Sequence, residues 1–270
     1  MTLVEDGAYV IIVDNTETPY LDETLFPAQC QIVRLGFNAG IAHAQNLGVQ
    51  MAIKNNAEVI VFFDQDSTPK SGFLSALVAP LRVGTPDIVA PLCIDEISNI
   101  ELPSIRIEKY GLPSSILREG KIEPYEVDII ISSGTAITRE VFKVVGLFDE
   151  SFFIDFVDTE WCLRCRSKGI PIRIVPEVTM HHRIGTRSIS MGRFVITEHT
   201  PRRCYYQLRN CFHLFHKPHI PFLFALKETF SVYLSRIFLL FFVKHRLEYF
   251  RYYFKAVKDG LTGVEGPKPS

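Results

Sequence analysis

The chain has 270 residues, of which 47% are hydrophobic and 22% are charged, and its net charge at pH 7 is −1. This length suffices for one sizeable hydrophobic core, or for one domain with an appendage. The sequence contains no internal repeat and no low-complexity segment, which argues against a repeat protein. Its first residues lack the basic and apolar regions of a signal peptide, so we expect the six cysteines to be reduced.

The nearly neutral net charge hides a strong asymmetry along the chain. Residues 1–200 carry 17 Lys and Arg against 26 Asp and Glu, whereas residues 201–258 carry 11 Lys and Arg against Glu228 and Glu248. We therefore expect an acidic body over 1–200 and a basic, aromatic helical tail over 201–270. A basic tail favours an anionic partner, either a membrane surface or a nucleic acid. The acidic body argues against a broad nucleic-acid surface.

Two short apolar runs open the chain, and we predict strands at Tyr9–Val13 and Gln31–Leu35. The second run leads into a loop containing Gly36, Asn38 and Gly40, and the pattern then predicts a helix over Ile41–Lys54. Such a loop before a helix can point backbone N–H groups at an anion. Tight packing of the helix on a strand is the alternative explanation for its small residues.

The most informative stretch is Glu58–Thr68, where five apolar residues run directly into Asp64 and Asp66. The run predicts a buried strand over Val59–Phe63. Two carboxylates that leave a core together fit a hard divalent cation that also binds a phosphate. The carboxyl ends of strands in open α/β sheets are common ligand sites. The alternative is a strand followed by an acidic turn.

The middle of the chain continues the alternation of strands and helices. The pattern predicts a helix over 71–83, a strand over 87–92 and an irregular excursion over 93–126. It then predicts a strand over 127–131 and the start of another helix over 138–144. The fourth of these elements ends in a polar turn at Ser132–Thr135.

Acidic and aromatic residues interleave between Phe148 and Trp161. Because aromatic rings favour burial, some of these carboxylates must line a protected cleft, where one of them could act as a general base. The alternative is a helix N-terminus with acids that favour the helix dipole, and Asp158 and Glu160 fit both interpretations. Cys162 and Cys165 lack a second ligand pair, so we interpret them as ordinary helix packing.

A last strand is predicted over Ile172–Val175, and His181 and His182 follow it. A histidine that directly follows a strand, near a proposed metal, is a candidate metal ligand. The alternative, of equal standing, is a polar side chain that is hydrogen-bonded within the protein.

The tail contains a Phe- and Leu-rich segment at Phe222–Val243, whose longest uncharged runs are seven residues. This is far short of the roughly 20 residues that span a bilayer. Flanking lysines and arginines suit a helix that lies in the interface of an anionic membrane. A helical subdomain that covers the sheet, or a dimer interface, is the alternative.

In order and spacing, these motifs resemble the family 2 glycosyltransferases of GT-A fold, and within them the rhamnosyltransferase branch. The fold implied is a mostly parallel α/β sheet flanked by helices, with a C-terminal helical extension. The matching residues cover nearly the whole chain: Val13-Asp14-Asn15, Leu35–Ala42 with Asn46 and Gly48, Phe63–Ser67, Ser133-Gly134-Thr135, Phe148-Asp149-Glu150 through Asp158, Glu160 and Trp161 to Arg164, His182 with Gly185, and Tyr205-Tyr206 with Arg209-Asn210.

The resemblance implies roles for individual residues. Asp158 matches the catalytic carboxylate, which takes the proton of the acceptor hydroxyl. Asp66 and His182 would hold Mg²⁺ or Mn²⁺ against the donor diphosphate, with Asp64 less directly involved. The remaining matches are expected to bind substrate: Asp14 at the nucleotide base, Asn38 and Gly40 beside the nucleotide, and Asn46, Asp64, Ser133, Gly134, Glu160, Trp161 and Arg209.

The resemblance also implies partners and a place in the cell. The expected donor is dTDP-L-rhamnose, and the expected acceptor is a lipid-linked oligosaccharide or polysaccharide of the bacterial surface, such as O-antigen or capsule. The protein would be cytoplasmic and, through its tail, peripheral at the inner face of the membrane. It could form a homo-oligomer, and it would bind no nucleic acid.

One departure from the family pattern concerns the start of the chain. Only eight residues precede Tyr9, so the first strand–helix unit of the family is expected to be missing, and with it one wall of the nucleotide pocket. We therefore expect weak or absent activity for the chain as given. A degenerate binder of nucleotide or membrane is one alternative. Another is a Mg²⁺-dependent phosphatase of the haloacid-dehalogenase type that uses Asp64 as its nucleophile.

Overall fold

The computed structural model describes residues 2–18, 21–96, 99–118, 120–182, 188–191 and 194–268. It contains strands and helices in alternation, followed by a helical C-terminal part. The strands are β1 (Val10–Asp14), β2 (Cys30–Arg34), β3 (Val59–Val61), β4 (Ile88–Asp95), β5 (Ser104–Ile107), β6 (Pro113–Ile116), β7 (Tyr125–Val127), β8 (Ala136–Thr138), β9 (Ile172–His182), β10 (Ser188–Met191) and β11 (Phe194–Thr197). The helices are α1 (Thr2–Glu5), α2 (Ile41–Lys54), α3 (Phe73–Val78), α4 (Arg139–Val145), α5 (Val157–Ser167), α6 (Pro201–His216), α7 (Phe222–Leu239) and α8 (Arg246–Leu261).

The main sheet has five strands in the order β3-β8-β4-β9-β7. Strands β4 and β9 are parallel, whereas β8 runs antiparallel to both β3 and β4, and β7 runs antiparallel to β9. The sheet is therefore mixed, and the sequence prediction of a mostly parallel sheet is corrected in this detail. The reason lies in the excursion after β4, which forms the hairpin β5-β6 and returns β7 and β8 to the sheet in the reverse direction.

Strands β1 and β2 form a separate parallel pair. Within the described part of the chain, β1 pairs only with β2 and β3 pairs only with β8, so the two sheets share no hydrogen-bonded ladder. Helix α2 packs beside β1, and Leu3 and Ala8 pack near α3. The absence of a first strand–helix unit stays a prediction.

The core of the body lies on both faces of the main sheet. One side is filled by side chains of α2, α4 and α5 and of the segment between the last two, including Phe142, Phe148 and Trp161. The other side is filled around Phe73 and Leu77 of α3. Cys162 and Cys165 are free and buried in α5, as the interpretation of ordinary packing required. The apolar strand and helix patterns thus bury the faces that their periodicity predicts.

The C-terminal helices pack on the body through α6. This helix begins at Pro201, and the Thr200 hydroxyl accepts a hydrogen bond from the backbone N–H of Arg203 (3.3 Å) at its N-terminus. Its buried face contacts both α7 and α8. Among the described residues, the helices are all too short or too polar to cross a bilayer. The division into units 1–200 and 201–270 stays a prediction. Helix α6 contacts the body directly.

Candidate functional site

One edge of the main sheet collects the polar residues that the sequence singles out. Strands β3, β4 and β9 run in the same direction, because β8 is antiparallel to both of its neighbours and β4 is parallel to β9. Their carboxyl ends, and the amino end of β8, therefore meet at one edge. Asp64 follows β3, the turn 132–135 precedes β8, and Asp95 pairs with His182 where β4 and β9 end. This is the edge where open α/β sheets bind ligands.

The turn before β8 clamps the acidic loop after β3. The Ser133 hydroxyl lies 2.7 Å from the Ser67 hydroxyl and accepts a hydrogen bond from the backbone N–H of Asp64 (3.2 Å). The Gly134 N–H donates to the carbonyl of Phe62 (2.7 Å). Ser133 is fully buried and positions this loop, and its contact with substrate stays a prediction.

Gly134 is required for this clamp by its backbone and its surroundings. Its φ is +77°, and an added Cβ would lie 2.4 Å from Cε of Met180. A side chain there would both strain the backbone and collide with the core. Gly134 therefore also positions the acidic loop, and its contact with substrate stays a prediction.

Asp158 lies in the first turn of α5 and keeps part of its surface accessible. Its Oδ2 accepts a hydrogen bond from the backbone N–H of Ser132 (3.3 Å), which ties it to the same turn. Burial, and more weakly the charges of Asp64 and Asp155, raise the pKa of Asp158 to about 6, against the stabilising hydrogen bond from Ser132. A carboxylate with a pKa near neutrality, at an accessible position, is suited to general base catalysis.

The loop before Asp158 is strained. Phe153, Asp155 and Phe156 have positive φ values of 65°, 62° and 63°. Such conformations cost about 1–3 kcal/mol each for residues other than glycine, and surrounding contacts must hold them. Strain concentrated directly before the one accessible carboxylate of α5 indicates that this loop sets the position of Asp158.

Arg209 and Asn210 of α6 hold this strained loop. Arg209 is fully buried, and its guanidinium donates to the carbonyls of Ser151 (3.1 Å), Phe152 (3.2 Å) and Gly266 (2.6 Å). The Asn210 amide donates to the carbonyls of residues 152, 154 and 155 at 2.8–3.1 Å. The Arg209 guanidinium also donates to the side-chain oxygen of Asn210 (2.8 and 3.1 Å), so its donors are occupied within the protein. Arg209 therefore positions the loop, and its contact with substrate stays a prediction.

Glu160 and Trp161 also turn away from the site. Glu160 is 1% exposed and accepts hydrogen bonds from Arg164 (2.7 and 2.9 Å), and His219 lies 2.7 Å from the same carboxylate. The Trp161 indole donates to the carbonyl of Gly146 (3.0 Å) within the aromatic core. Both side chains are enclosed by these partners, and their contact with donor or acceptor stays a prediction.

Asn46 serves a similar internal purpose. Its amide donates to the carbonyl of Phe148 (2.9 Å) and to the carboxylate of Glu150 (2.8 Å), and its oxygen accepts from the N–H of Phe148 (2.8 Å). It is buried in α2. Asn46 thus joins α2 to the start of the acid-rich segment, and its contact with substrate stays a prediction.

Asp14 is the last residue of β1, and only one of its two carboxylate oxygens accepts hydrogen bonds. Its Oδ1 accepts hydrogen bonds from the backbone N–H (3.2 Å) and the hydroxyl (2.6 Å) of Thr16. Its Oδ2 is buried and has no hydrogen-bond partner. An unpaired buried acceptor is costly, so an N–H donor of a ligand would be bound favourably there.

The loop before α2 is organised by two asparagines. The Asn15 oxygen accepts from the N–H of Ala39 (2.7 Å), and the Asn15 amide donates to the carbonyl of Gly40 (3.2 Å). The Asn38 oxygen accepts from the N–H of Gly40 (3.0 Å). These contacts join the loop to the end of β1, so Asp14, Asn38 and Gly40 do form one neighbourhood.

Gly40 also contacts the strained loop, which yields a first prediction. Its φ is +92°, and an added Cβ would lie 2.6 Å from Cδ2 and 2.7 Å from the carbonyl oxygen of Phe153. We expect Gly40→Ala to lower the free energy of unfolding by about 3 kcal/mol, from backbone strain and the collision together. Urea denaturation would measure the change.

Gly36→Ala is the matched control. Gly36 also has a positive φ, of +74°, but an added Cβ would meet nothing within 4 Å. We expect it to cost only about 1 kcal/mol. Equal losses in the two variants would contradict the proposed contact between Gly40 and Phe153.

The predicted metal ligands are only partly described. Asp66 is exposed in the loop after β3, and Asp64 is half-buried beside it. Carboxylate oxygens are the ligands that Mg²⁺ and Mn²⁺ prefer, so this loop fits a divalent cation. Among the described residues, no group of three or more His, Cys, Asp or Glu is gathered for a metal. The prediction for the His182 side chain lies outside the described residues.

Two contacts at this site were not predicted from the sequence. The Arg203 guanidinium donates to Asp155 (3.0 Å), and the Gln45 amide donates to the Ser132 hydroxyl (3.1 Å). Both join segments that are distant along the chain, so no local pattern signals them.

Comparisons with known proteins show the family of this chain. Residues 6–146 match the family model described as Glycosyl transferase family 2. The chain is 37% identical over 266 residues to "dTDP-rhamnosyl transferase RfbF" of Shigella flexneri, covering 98% of this chain and 90% of that protein. It is 28% identical over 183 residues to a "Pre-mycofactocin glycosyltransferase" of Mycobacterium tuberculosis, covering 65% of this chain and 37% of that protein.

Solved structures support the fold. The chain is similar to S. aureus TarS, with a TM-score of 0.54 and 14% identity, over 94% of this chain and 43% of that one. A shorter TarS structure, residues 1–349 in complex with UDP-GlcNAc, gives a TM-score of 0.52 and 18% identity, over 94% of this chain and 72% of that one. At these identities the similarity establishes the GT-A fold and nothing finer.

Proposed function

The chain belongs to glycosyl transferase family 2, and from its site we propose that it transfers L-rhamnose from dTDP-L-rhamnose to a lipid-linked oligosaccharide of a bacterial surface polysaccharide. The observation that carries the chemistry is Asp158, an accessible carboxylate with a raised pKa at the same sheet edge as the acidic loop. Identity to the rhamnosyl transferase over nearly the whole chain supports the choice of sugar and nucleotide. Membership of this family removes the phosphatase alternative based on Asp64.

In the proposed reaction, Asp158 takes the proton of an acceptor hydroxyl while that oxygen attacks the anomeric carbon of the sugar. The bond from this carbon to the diphosphate breaks, and the configuration inverts in this single displacement. The Ser132 N–H holds the Asp158 carboxylate in place, and the loop held by Arg209 and Asn210 sets its direction. No covalent nucleophile is needed.

A divalent cation, Mg²⁺ or Mn²⁺, held by Asp66 with Asp64 and His182, would supply positive charge against the leaving diphosphate. The chain's own contribution is to hold the acidic loop rigidly, because the Ser133 hydroxyl accepts from the Asp64 N–H and the Gly134 N–H donates to the Phe62 carbonyl. The clamp keeps both carboxylates at the sheet edge.

The nucleotide would bind at the end of β1. The unpaired Oδ2 of Asp14 is placed to accept a hydrogen bond from a base N–H. The Asn38 and Gly40 loop, fixed by Asn15, would border the rest of the nucleotide. Pyrimidine bases such as thymine and uracil carry a ring N–H that can donate to such a carboxylate.

The acceptor would be presented at the inner face of the cell membrane, where the protein would be peripheral. The tail carries the excess of Lys and Arg and exposes many aromatic rings on α7 and α8. Both features suit an anionic membrane surface.

The proposal is tested by thermal unfolding of the purified chain with Mn²⁺ and dTDP, dTDP-rhamnose, UDP or GDP. A ligand at about 100 times its Kd should stabilise the folded state by roughly 2.7 kcal/mol. We expect dTDP and dTDP-rhamnose to do so only with metal, and Asp66→Ala to abolish the effect. Glu248→Ala, which removes an exposed acid of α8, should leave it unchanged.

A degenerate protein would give a different result. If no nucleotide stabilises a folded protein, the nucleotide site is not functional and the proposal fails. If nucleotide binds but dTDP is not released from dTDP-rhamnose in the presence of a membrane-extracted acceptor, the chain is a nucleotide binder without transferase activity.

A further inference from the structure

The outer faces of α7 and α8 expose large apolar side chains along most of their length. On α7 these recur every four residues at Leu226, Phe230, Leu234 and Phe238, which places them in one stripe. On α8, Phe250 and Phe254 continue the surface and are 63% and 72% exposed. Contiguous apolar surfaces of this extent are uncommon on soluble monomers and mark contact with a partner or a membrane.

A cavity of about 220 Å³ lies between α6, α7 and α8 and opens beside this stripe. Its walls include Ile237, Leu240, Phe250, Phe254 and Val257. Three of these side chains, at 237, 250 and 254, are exposed at its rim.

The polar groups of this cavity already have partners. The Tyr233 hydroxyl donates to the carbonyl of Leu208 (3.4 Å), and the Tyr253 hydroxyl donates to the carbonyl of Arg236 (3.1 Å). The Arg236 guanidinium donates to the carbonyl of Thr197 (3.1 Å). The tyrosines therefore present their rings to the cavity, and its lining suits a hydrocarbon rather than a polar ligand.

The charges around the stripe identify the partner. Four basic side chains lie on α8 and one lies in the turn before it: Arg246, Arg251, Lys255 and Lys258, and Lys244. A second copy docked on this face would bring two such basic surfaces together, which is electrostatically unfavourable. A diffuse positive surface with exposed aromatic rings instead complements the anionic headgroups of a bilayer.

We propose that the cavity between α6, α7 and α8 binds one acyl chain of an anionic phospholipid when α7 and α8 lie in the membrane interface. A water occupies about 30 Å³ of liquid and a methylene group is of similar size, so the cavity holds roughly seven carbons of a chain. The inference rests on the proposed function only in placing the protein at a membrane.

The test uses dihexanoyl phosphatidylglycerol below its micelle concentration, with binding measured by calorimetry on the full chain. We expect Phe250→Ser and Phe254→Ser to weaken binding about tenfold, because each removes part of the apolar wall. Phe230→Ser is the matched control, since Phe230 is 69% exposed on α7 but does not line the cavity. It should change this affinity less than twofold, yet weaken co-sedimentation with vesicles of phosphatidylcholine and phosphatidylglycerol.

Other outcomes would overturn the proposal. Failure of the wild-type chain to bind the short lipid, or equal losses in all three variants, would remove the cavity as the binding site. A wild-type dimer in light scattering that Phe254→Ser converts to a monomer would make the face a protein interface. Glycerol phosphate should not compete, because it lacks the chain. The dTDP-dependent stabilisation, measured on the same samples, shows separately whether the nucleotide site is functional.

Discussion

Replacing Asp158 with Asn is expected to lower the transfer rate by a factor of about 10² to 10⁴ and, at the same time, to stabilise the folded protein at neutral pH. The loss of rate follows from removal of the base. The gain in stability follows because burial raises the pKa of Asp158 to about 6 in the folded state, whereas an unfolded aspartate has a pKa of about 3.9. The ionised carboxylate is thus unfavourable in its native surroundings.

The pH dependence has a definite sign. The folded state binds the Asp158 proton more tightly, so its contribution to stability is fully present below about pH 4 and is lost as the pH rises through about 6. Asparagine is neutral throughout. In metal-free buffer, Asp158→Asn should therefore match the wild type near pH 4 and exceed its free energy of unfolding by up to about 3 kcal/mol near pH 8.

Asp149→Asn supplies a control of opposite sign. Although burial opposes it, hydrogen bonds from Lys217 and Ser151 lower the pKa of Asp149. Its stabilising contribution is present above the unfolded pKa and is lost on acidification, so Asp149→Asn should destabilise the protein at pH 7. Urea denaturation across pH 4–8 measures both variants. An Asp158→Asn protein that is inactive but no more stable at pH 8 would contradict the pKa assigned to Asp158.

Replacing Arg209 with Met is expected to lower the free energy of unfolding by about 3–5 kcal/mol. The side chain is fully buried, and its loss leaves the carbonyls of Ser151, Phe152 and Gly266 without their charged donor. The carbonyls of Ser151 and Phe152 keep backbone N–H donors from Gly266 and Ile154. The loss therefore comes mainly from the Gly266 carbonyl, at about 1–3 kcal/mol, and from the weakened hydrogen bonding of the other two. The loop with three positive φ values would then lose its main restraint, and Asp158 would lose its fixed position.

Chemical denaturation and the rate of sugar transfer together test this role. Arg251→Met is the matched control, because Arg251 is exposed on α8 and should change stability by less than about 0.5 kcal/mol. Raising the donor concentration should not restore the activity of Arg209→Met, since Arg209 acts on the position of the base. A variant that keeps full stability and shows only a raised KM for the donor would instead indicate that Arg209 contacts the substrate.

The strand ends at Asp14 and Asp64 could be predicted because their signal is local. Each is an apolar run that stops at a carboxylate, and β1 and β3 form there. The loop at Asn38 and Gly40 and the helix α2 are equally local, since glycine and asparagine mark the turn and small residues mark the helix. The strand predicted at 127–131 was wrong, because pairing with β9 and β3 placed the strands at Tyr125–Val127 and Ala136–Thr138 instead.

The roles within the acid-rich segment required the tertiary structure. Asp158 and Glu160 are two residues apart on α5, so their side chains point to different sides of the helix. Glu160 meets Arg164 and His219 in the interior, whereas Asp158 meets Ser132 at the accessible sheet edge. The sequence pattern by itself does not distinguish the two carboxylates.

By itself, the sequence determined the family, the GT-A fold and the acidic strand end, because these depend on composition and order along the chain. Only the tertiary structure showed that Asn46, Ser133, Glu160, Trp161 and Arg209 are buried beside partners from elsewhere in the fold, and their contact with substrate stays a prediction. The physical reason is that a polar side chain in a motif forms hydrogen bonds with whichever partner lies nearest after folding. For these residues, that partner is the backbone or a side chain from another segment.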